Sequence, residues 1–154
     1  MIIKTADSAE MLDLVRKIFC EYQRSIGIDL EFQDFKEELA NLPGKYSPPQ
    51  GRLYIGYIGE KPAGCIALRP MKEKGQCEMK RLFVRPEFRG KNAGKQLAEK
   101  IIADAREIGY SQMFLDTLTS MTSARELYTS LGFKPTEPYC YNPFENAEYF
   151  RLDL

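Results

Sequence analysis

The chain contains no histidine. That removes imidazole general bases, Ser–His and Cys–His couples, and histidine metal ligands at one stroke. Cysteine is sparse: Cys20, Cys65, Cys77 and Cys140 stand far apart, so no paired-thiol zinc motif exists. They read as free buried thiols, and no metal site is expected. An excess of charge of either sign is also missing, with 22 Lys+Arg against 22 Asp+Glu. A general nucleic-acid binder normally carries a basic surplus, so no nucleic-acid partner is expected. No apolar run approaches the length of a membrane span, and the opening MIIKTADSAE lacks the layout of a signal peptide. The expectation is a protein without a membrane partner, in the cytoplasm. What remains is 154 residues, 44% apolar and 29% charged, enough to bury a core as a single domain over 1–154.

One stretch organises the rest: Cys77 to Gly94, CEMKRLFVRPEFRGKNAG. Its first part alternates as a strand does. The pattern predicts Met79, Arg81 and Phe83 on one side and Glu78, Lys80, Leu82 and Val84 on the other. Arg85-Pro86 ends the strand, since proline cannot donate to a ladder. Arg89-Gly90-Lys91-Asn92-Ala93-Gly94 follows, small and basic, directly before a long helix. Unpaired N–H groups, the helix dipole and two or three cations together suit a phosphate. The spacing fits neither a P-loop, which needs four residues between its glycine and Gly-Lys, nor a dinucleotide fingerprint. A solvated basic loop is the competing reading of the stretch taken alone.

The remaining elements follow from periodicity and punctuation. Ile2–Thr5 reads as a strand, and Asp7 or Ser8 caps a helix that Gly27 ends. A second helix is predicted from Phe32 to Leu42, with Phe35 and Leu39 inward and Pro43-Gly44 as its stop. Arg52–Ile58 and Lys61–Arg69 form a hairpin about Gly59-Glu60, followed by the central strand. The next helix runs from about Asn92 to Ile108, with Gly109 behind it. Gln112–Thr117 is a strand, parallel to the central one because a helix intervenes. A helix near 122–131 and a closing strand over 147–154 complete the order β α α β β β α β α β β. The fold class is α/β of the mixed α+β kind, a mostly antiparallel sheet with helices on its faces.

The pattern strand–V-x-P-x-x-R-G-x-x-x-G–helix, followed by A-x-x-L-Y-x-x-L-G-F at Ala124–Phe133, resembles the GCN5-related N-acetyltransferase (GNAT) family. The resemblance implies acetyl-CoA as donor and a parallel strand pair splayed near a bulge around Leu82 to Val84. Backbone of Leu82, Phe83 and Val84 would pair with the pantetheine arm. The loop Arg89, Gly90, Lys91, Asn92, Ala93, Gly94 and Lys95 would hold the pyrophosphate. Two departures stand out: Asn92 replaces the usual first glycine of the loop, and Met121 replaces an asparagine. Asn92 tolerates the left-handed backbone a glycine would supply. Thr119, Ser120 or Thr122 can stand in for the asparagine.

Glu78 lies eleven residues before Arg89, where histone-type GNAT enzymes carry a catalytic glutamate, and resembles a general base. Tyr128 resembles the family's proton donor to the leaving thiolate. A strand carboxylate in a salt bridge and a core tyrosine are the structural alternatives for these two. No cysteine has an activating base, so direct transfer in a ternary complex is expected rather than a covalent acetyl-enzyme. Tyr22, Tyr54, Tyr139, Tyr141 and Phe144 fall in segments that line the family's acceptor groove. The expected acceptor is a primary amine on a small molecule or on a protein N-terminus or lysine, the small molecule being favoured, and the expected assembly is a monomer or homodimer. A catalytically silent acyl-CoA-binding or sensing module is the alternative function, and an interaction domain without a CoA site a third.

Overall fold

The computed structural model describes residues 1–154. Seven strands form one sheet: β1 (Ile2–Thr5), β2 (Arg52–Ile58), β3 (Lys61–Pro70), β4 (Gln76–Val84), β5 (Gln112–Leu118), β6 (Lys134–Pro135) and β7 (Ala147–Asp153). Their spatial order is β1-β2-β3-β4-β5-β7-β6, and the β4–β5 pair alone is parallel. Helices α1 (Ala9–Ile26) and α2 (Phe35–Ala40) belong to one face, α3 (Ala93–Ile108) and α4 (Thr122–Ser130) to the other. Two apolar clusters result. Val15, Ile18 and Phe19 of α1 meet Ile55, Cys65 and Phe83 on the first face. Leu97, Ile101 and Ala105 of α3 meet Ile66, Leu68 and Met113 on the second.

The expected order of elements is the observed order, with local differences. The Ser8 hydroxyl accepts the Met11 N–H and caps α1, and Gly27 closes it at φ 69°. The predicted second helix is broken in two. Asp29 caps a 3-10 turn over Leu30–Gln33, and Asp34 at φ 54° separates that turn from the six residues of α2. A left-handed residue cannot continue a right-handed helix, so the chain re-aims there.

The strict alternation predicted for β4 does not hold. Cys65 pairs with Phe83 but Ala67 with Lys80, so Ile66 stands against both Arg81 and Leu82. This is a β-bulge, with Arg81 at φ 60°. It places Arg81 on the α1/α2 face beside Lys80, and turns Leu82 and Val84 toward the α3 cluster with Met79. A left-handed arginine costs about 1–2 kcal/mol. Its side chain is held in return: a bidentate pair to Glu38 at 2.9–3.0 Å, a 2.8 Å bond to Gln33, and the Phe35 ring 5.3 Å away. The Arg81 carbonyl accepts the buried Cys65 thiol.

Beyond the bulge β4 is pinned closely to β3. A Cβ on Gly64 would sit 2.3 Å from the Phe83 carbonyl oxygen, so only glycine fits there. Arg85 N–H then bonds the Ala63 carbonyl at 2.8 Å, which fixes where the basic loop begins.

Candidate active site

The β4–β5 ladder is short. It runs Gln76↔Gln112, Cys77↔Met113, Glu78↔Phe114 and stops. From Met79 onward the β5-facing edge of β4 has no strand partner, while β5 continues paired with β7 as far as Leu118. The split therefore opens nearer the start of β4 than the predicted Leu82–Val84, with the bulge just inside it. A narrow cleft of about 40 Å³ occupies the split, lined by Lys80 and Leu82 of β4, Asp116 and Leu118 of β5, Tyr22 of α1 and Tyr128 of α4. Beside it, between α2 and the sheet, lies a chamber of about 480 Å³. Phe32, Gln33 and Lys80 line both spaces, so the two are neighbours.

At the end of β4 the basic loop is built from its own chemistry. Arg85 is neutralised by Glu21 in a bidentate pair at 2.8–2.9 Å. Pro86–Phe88 makes a 3-10 turn that buries Phe88. The Arg89 Nε bonds the Val84 carbonyl at 3.0 Å. Gly90 and Asn92 are both left-handed, at φ 82° and 59°. Asn92 thus takes the backbone state of the glycine it replaces. It stands one residue outside α3 rather than starting it, and its side chain makes no cap. The first intrahelical bond there is Gln96 N–H to the Asn92 carbonyl. The N–H groups of Ala93, Gly94 and Lys95 are therefore free of helical partners, at the positive end of a sixteen-residue helix. Gly90, Lys91, Asn92 and Lys95 are exposed.

Tyr128 is buried against Phe133 and Phe150, ring centroids 5.8 and 6.3 Å away. Its hydroxyl makes no hydrogen bond within the protein and the residue lines the cleft. Burial pushes its pKa well above the ordinary tyrosine value, so it stays a neutral donor. Glu78 lines the chamber rather than the cleft. Its carboxylate accepts Arg69 Nε at 2.8 Å and the Tyr139 hydroxyl at 2.6 Å, with Lys80 Nζ 4.0 Å away. Burial works to raise its pKa, but the Lys80 and Arg69 charges and the Tyr139 bond outweigh burial and hold it below the usual range. A depressed carboxylate stabilises the fold above its unfolded pKa of ~4.3 and loses that contribution as pH falls through the folded value. Glu78→Gln should therefore flatten the acid limb of stability below about pH 4.3, read by urea unfolding across that range. An acid limb identical to the parent's would show the carboxylate is not held down.

Four of the five candidate groove aromatics lie toward the α1/α2 face. Tyr22 tilts against Phe83 at 5.9 Å, Tyr139 packs on Phe114 at 5.2 Å, and Tyr141 and Phe144 flank Phe32. Tyr54 does not belong with them: it points to the α3 face and its hydroxyl bonds Asp104. Met121 lines the cleft and its sulfur accepts the Thr117 hydroxyl at 3.5 Å. Thr119, Ser120 and Thr122 are exposed, and Thr117 is the threonine that lines the cleft.

The sequence model of the Acetyltransferase (GNAT) family matches residues 12–133. The chain belongs to the GNAT family. An uncharacterized N-acetyltransferase of Schizosaccharomyces pombe is 45% identical over 93% of this chain and 88% of its own. Among solved structures, a GNAT acetyltransferase of Staphylococcus aureus superposes with TM-score 0.81 at 19% identity, over 99% of this chain and 98% of that one. A Bacillus subtilis acetyltransferase, crystallised in complex with CoA, superposes with TM-score 0.72 at 20% identity, covering 99% and 97%. At these identities the likeness establishes the fold: a mixed sheet, one parallel pair and helices on both faces.

Sequence reasoning misses two charged groups of this GNAT site. Asp116 is visible as an acid in the otherwise apolar strand Met-Phe-Leu-Asp-Thr-Leu, and it lines the cleft directly. Lys80 stands out in the sequence only as a neighbour of Glu78. Its side chain is 5% exposed and borders both cleft and chamber. Burial lowers its pKa, and the Glu78 charge offsets that only in part.

Proposed function

We propose that the protein is an N-acetyltransferase that carries an acetyl group from acetyl-CoA to a primary amine, directly, in a ternary complex. One observation carries the reading: the unpaired edge of β4 is followed, one 3-10 turn later, by left-handed Gly90 and Asn92 and a helix start whose Ala93, Gly94 and Lys95 N–H groups lack helical partners. Peptide groups along such an edge need hydrogen-bond partners, and the amides of a pantetheine arm can supply them. Successive N–H groups with two left-handed residues make a concave anion site that suits a pyrophosphate. Leu82, Phe83 and Val84 serve the first role through backbone, and Arg89 to Lys95 the second.

The chemistry forms a bond from amine nitrogen to acetyl carbon and breaks the carbon–sulfur bond. One proton leaves the amine and one is needed by the departing thiolate. Tyr128 supplies the second. Two carboxylates compete for the first. Glu78 lines the adjoining chamber and accepts the Tyr139 hydroxyl, so it would act on an amine through water. Asp116 lines the cleft itself. Substituting Glu78→Gln and Asp116→Asn separately, and following the rate against pH, identifies the base by which variant loses the ascending limb.

Calorimetric titration with acetyl-CoA tests the donor site. One-to-one binding is expected, weakened about 10-fold or more in Arg89→Ala through loss of a charged contact of some 1.5–3 kcal/mol. No binding at millimolar ligand would remove the proposal. Binding without release of free thiol for any amine would favour the silent sensing module.

A further inference from the structure

Lys80 and Asp116 stand on the same face of the sheet, on the two strands that part from each other. Glu78 pairs with Phe114, so two residues further along each strand these two meet the mouth of the split. Both line the cleft, yet they form no ion pair with each other within 4.0 Å. Lys80 donates one hydrogen bond, to Gln33 at 3.0 Å. Its nearest carboxylate, Glu78, is already occupied by Arg69 and Tyr139. An ammonium has three donors, so a buried one with a single full bond is under-satisfied. Asp116 is under-used in the same way. Its Oδ2 accepts Asn142 at 3.3 Å and the Cys140 thiol at 3.8 Å, and its Oδ1 accepts nothing.

A cation and an anion, each short of partners and facing one opening, match a ligand that carries both charges close together. An α-amino acid does so on a single carbon. The adjoining chamber of about 480 Å³ gives its side chain room, within the roughly 300–1,000 Å³ usual for small-molecule sites. The chamber wall is polar, with Glu37, Asn41 and Lys45 at its lip and the buried Tyr46 hydroxyl left without a partner. We infer that the acceptor is a free α-amino acid, its carboxylate held by Lys80, its ammonium by Asp116, and its side chain in the chamber under α2. This rests on the acetyltransferase reading above and specifies its acceptor. It also orients the reaction: with the carboxylate on Lys80, the nitrogen faces the cleft that Tyr128 lines, and the product is an N-acetyl amino acid.

The test compares the twenty amino acids with their α-carboxamides as acceptors at saturating acetyl-CoA, scored by thiol release. At least one amino acid should exceed its amide by about 100-fold in kcat/KM, the loss expected when a buried charge partner is withheld. Lys80→Met should collapse that ratio toward one by raising KM for the acid, with acetyl-CoA affinity unchanged. Amides or simple amines acetylated as well as the acids would overturn the inference while leaving the acetyltransferase reading intact. Failure to bind acetyl-CoA would overturn both. A second readout needs no turnover. N-Acetyl amino acids and their amides are tested against the CoA-loaded protein by saturation-transfer NMR. Selective contact with the acids, lost in Lys80→Met, supports the assignment. Equal contact, or none with either set, refutes it.

Discussion

Tyr128→Phe is expected to lower the rate of acetyl transfer about 100-fold, the lower range for losing a positioned general acid. That equals roughly 2.7 kcal/mol of barrier at 1.36 kcal/mol per factor of ten. The hydroxyl is well placed to donate, since it belongs to a buried residue that lines the cleft and is unclaimed by any protein acceptor. Because burial raises its pKa, no ionisation competes with donation at neutral pH. The same facts predict what does not change. Phenylalanine keeps the ring contacts with Phe133 and Phe150. Removing a hydroxyl that no protein group uses leaves no orphaned partner, so thermal stability should hold. Acetyl-CoA affinity, measured by calorimetry, should also hold. A variant that turns over at the parental rate would return Tyr128 to the role of a core tyrosine.

The second large effect is on folding. Arg81→Ala should cost about 3–5 kcal/mol, the usual range for breaking a buried ion pair from one side. The Arg81 and Glu38 side chains are only 3% and 14% exposed, so the abandoned carboxylate would face the interior with little water. Urea unfolding of the single variants and of Arg81→Ala/Glu38→Ala measures the coupling. The double variant should lose less than the two singles together. Backbone geometry adds a sharper criterion. In most strand interiors glycine is worse than alanine. At φ 60° the order should reverse, and Arg81→Gly should be more stable than Arg81→Ala by about 1 kcal/mol. An alanine variant at least as stable as the glycine variant would argue against a strained bulge.

These two residues mark the boundary between what local sequence carries and what it does not. Tyr128 is readable because the motif that resembles the GNAT tyrosine, Leu127-Tyr128-x-x-Leu131-Gly132-Phe133, lies within one helix and its stop. The anion turn is readable for the same reason: proline, glycine and asparagine act on their own backbone torsions. Arg81 is not readable in this way. Strict alternation sets it on the face opposite Lys80, whereas the fold puts both on the α1/α2 face. Nothing in Lys80-Arg81-Leu82 announces an extra residue in the ladder, because a bulge is defined by what lies opposite. Here that is Ile66 on β3. Tyr54 escapes for a similar reason. Its strand is where the sequence predicts, but which face an alternating residue meets depends on the register of β2 between β1 and β3.

The sequence by itself determined the kinds and order of the elements, the basic turn before α3, and the exclusion of imidazole chemistry. Those follow from periodicity, punctuation and composition, which act over a few residues. Tertiary structure alone decided where β4 leaves β5, and so where a cleft opens. It also decided that Glu78 is committed to Arg69 and Tyr139, and that Lys80 and Asp116 face one opening without pairing. Residues far apart in the chain meet there through the strand–helix–strand crossover. Their charges act through space, across a gap that no local pattern of residues encodes.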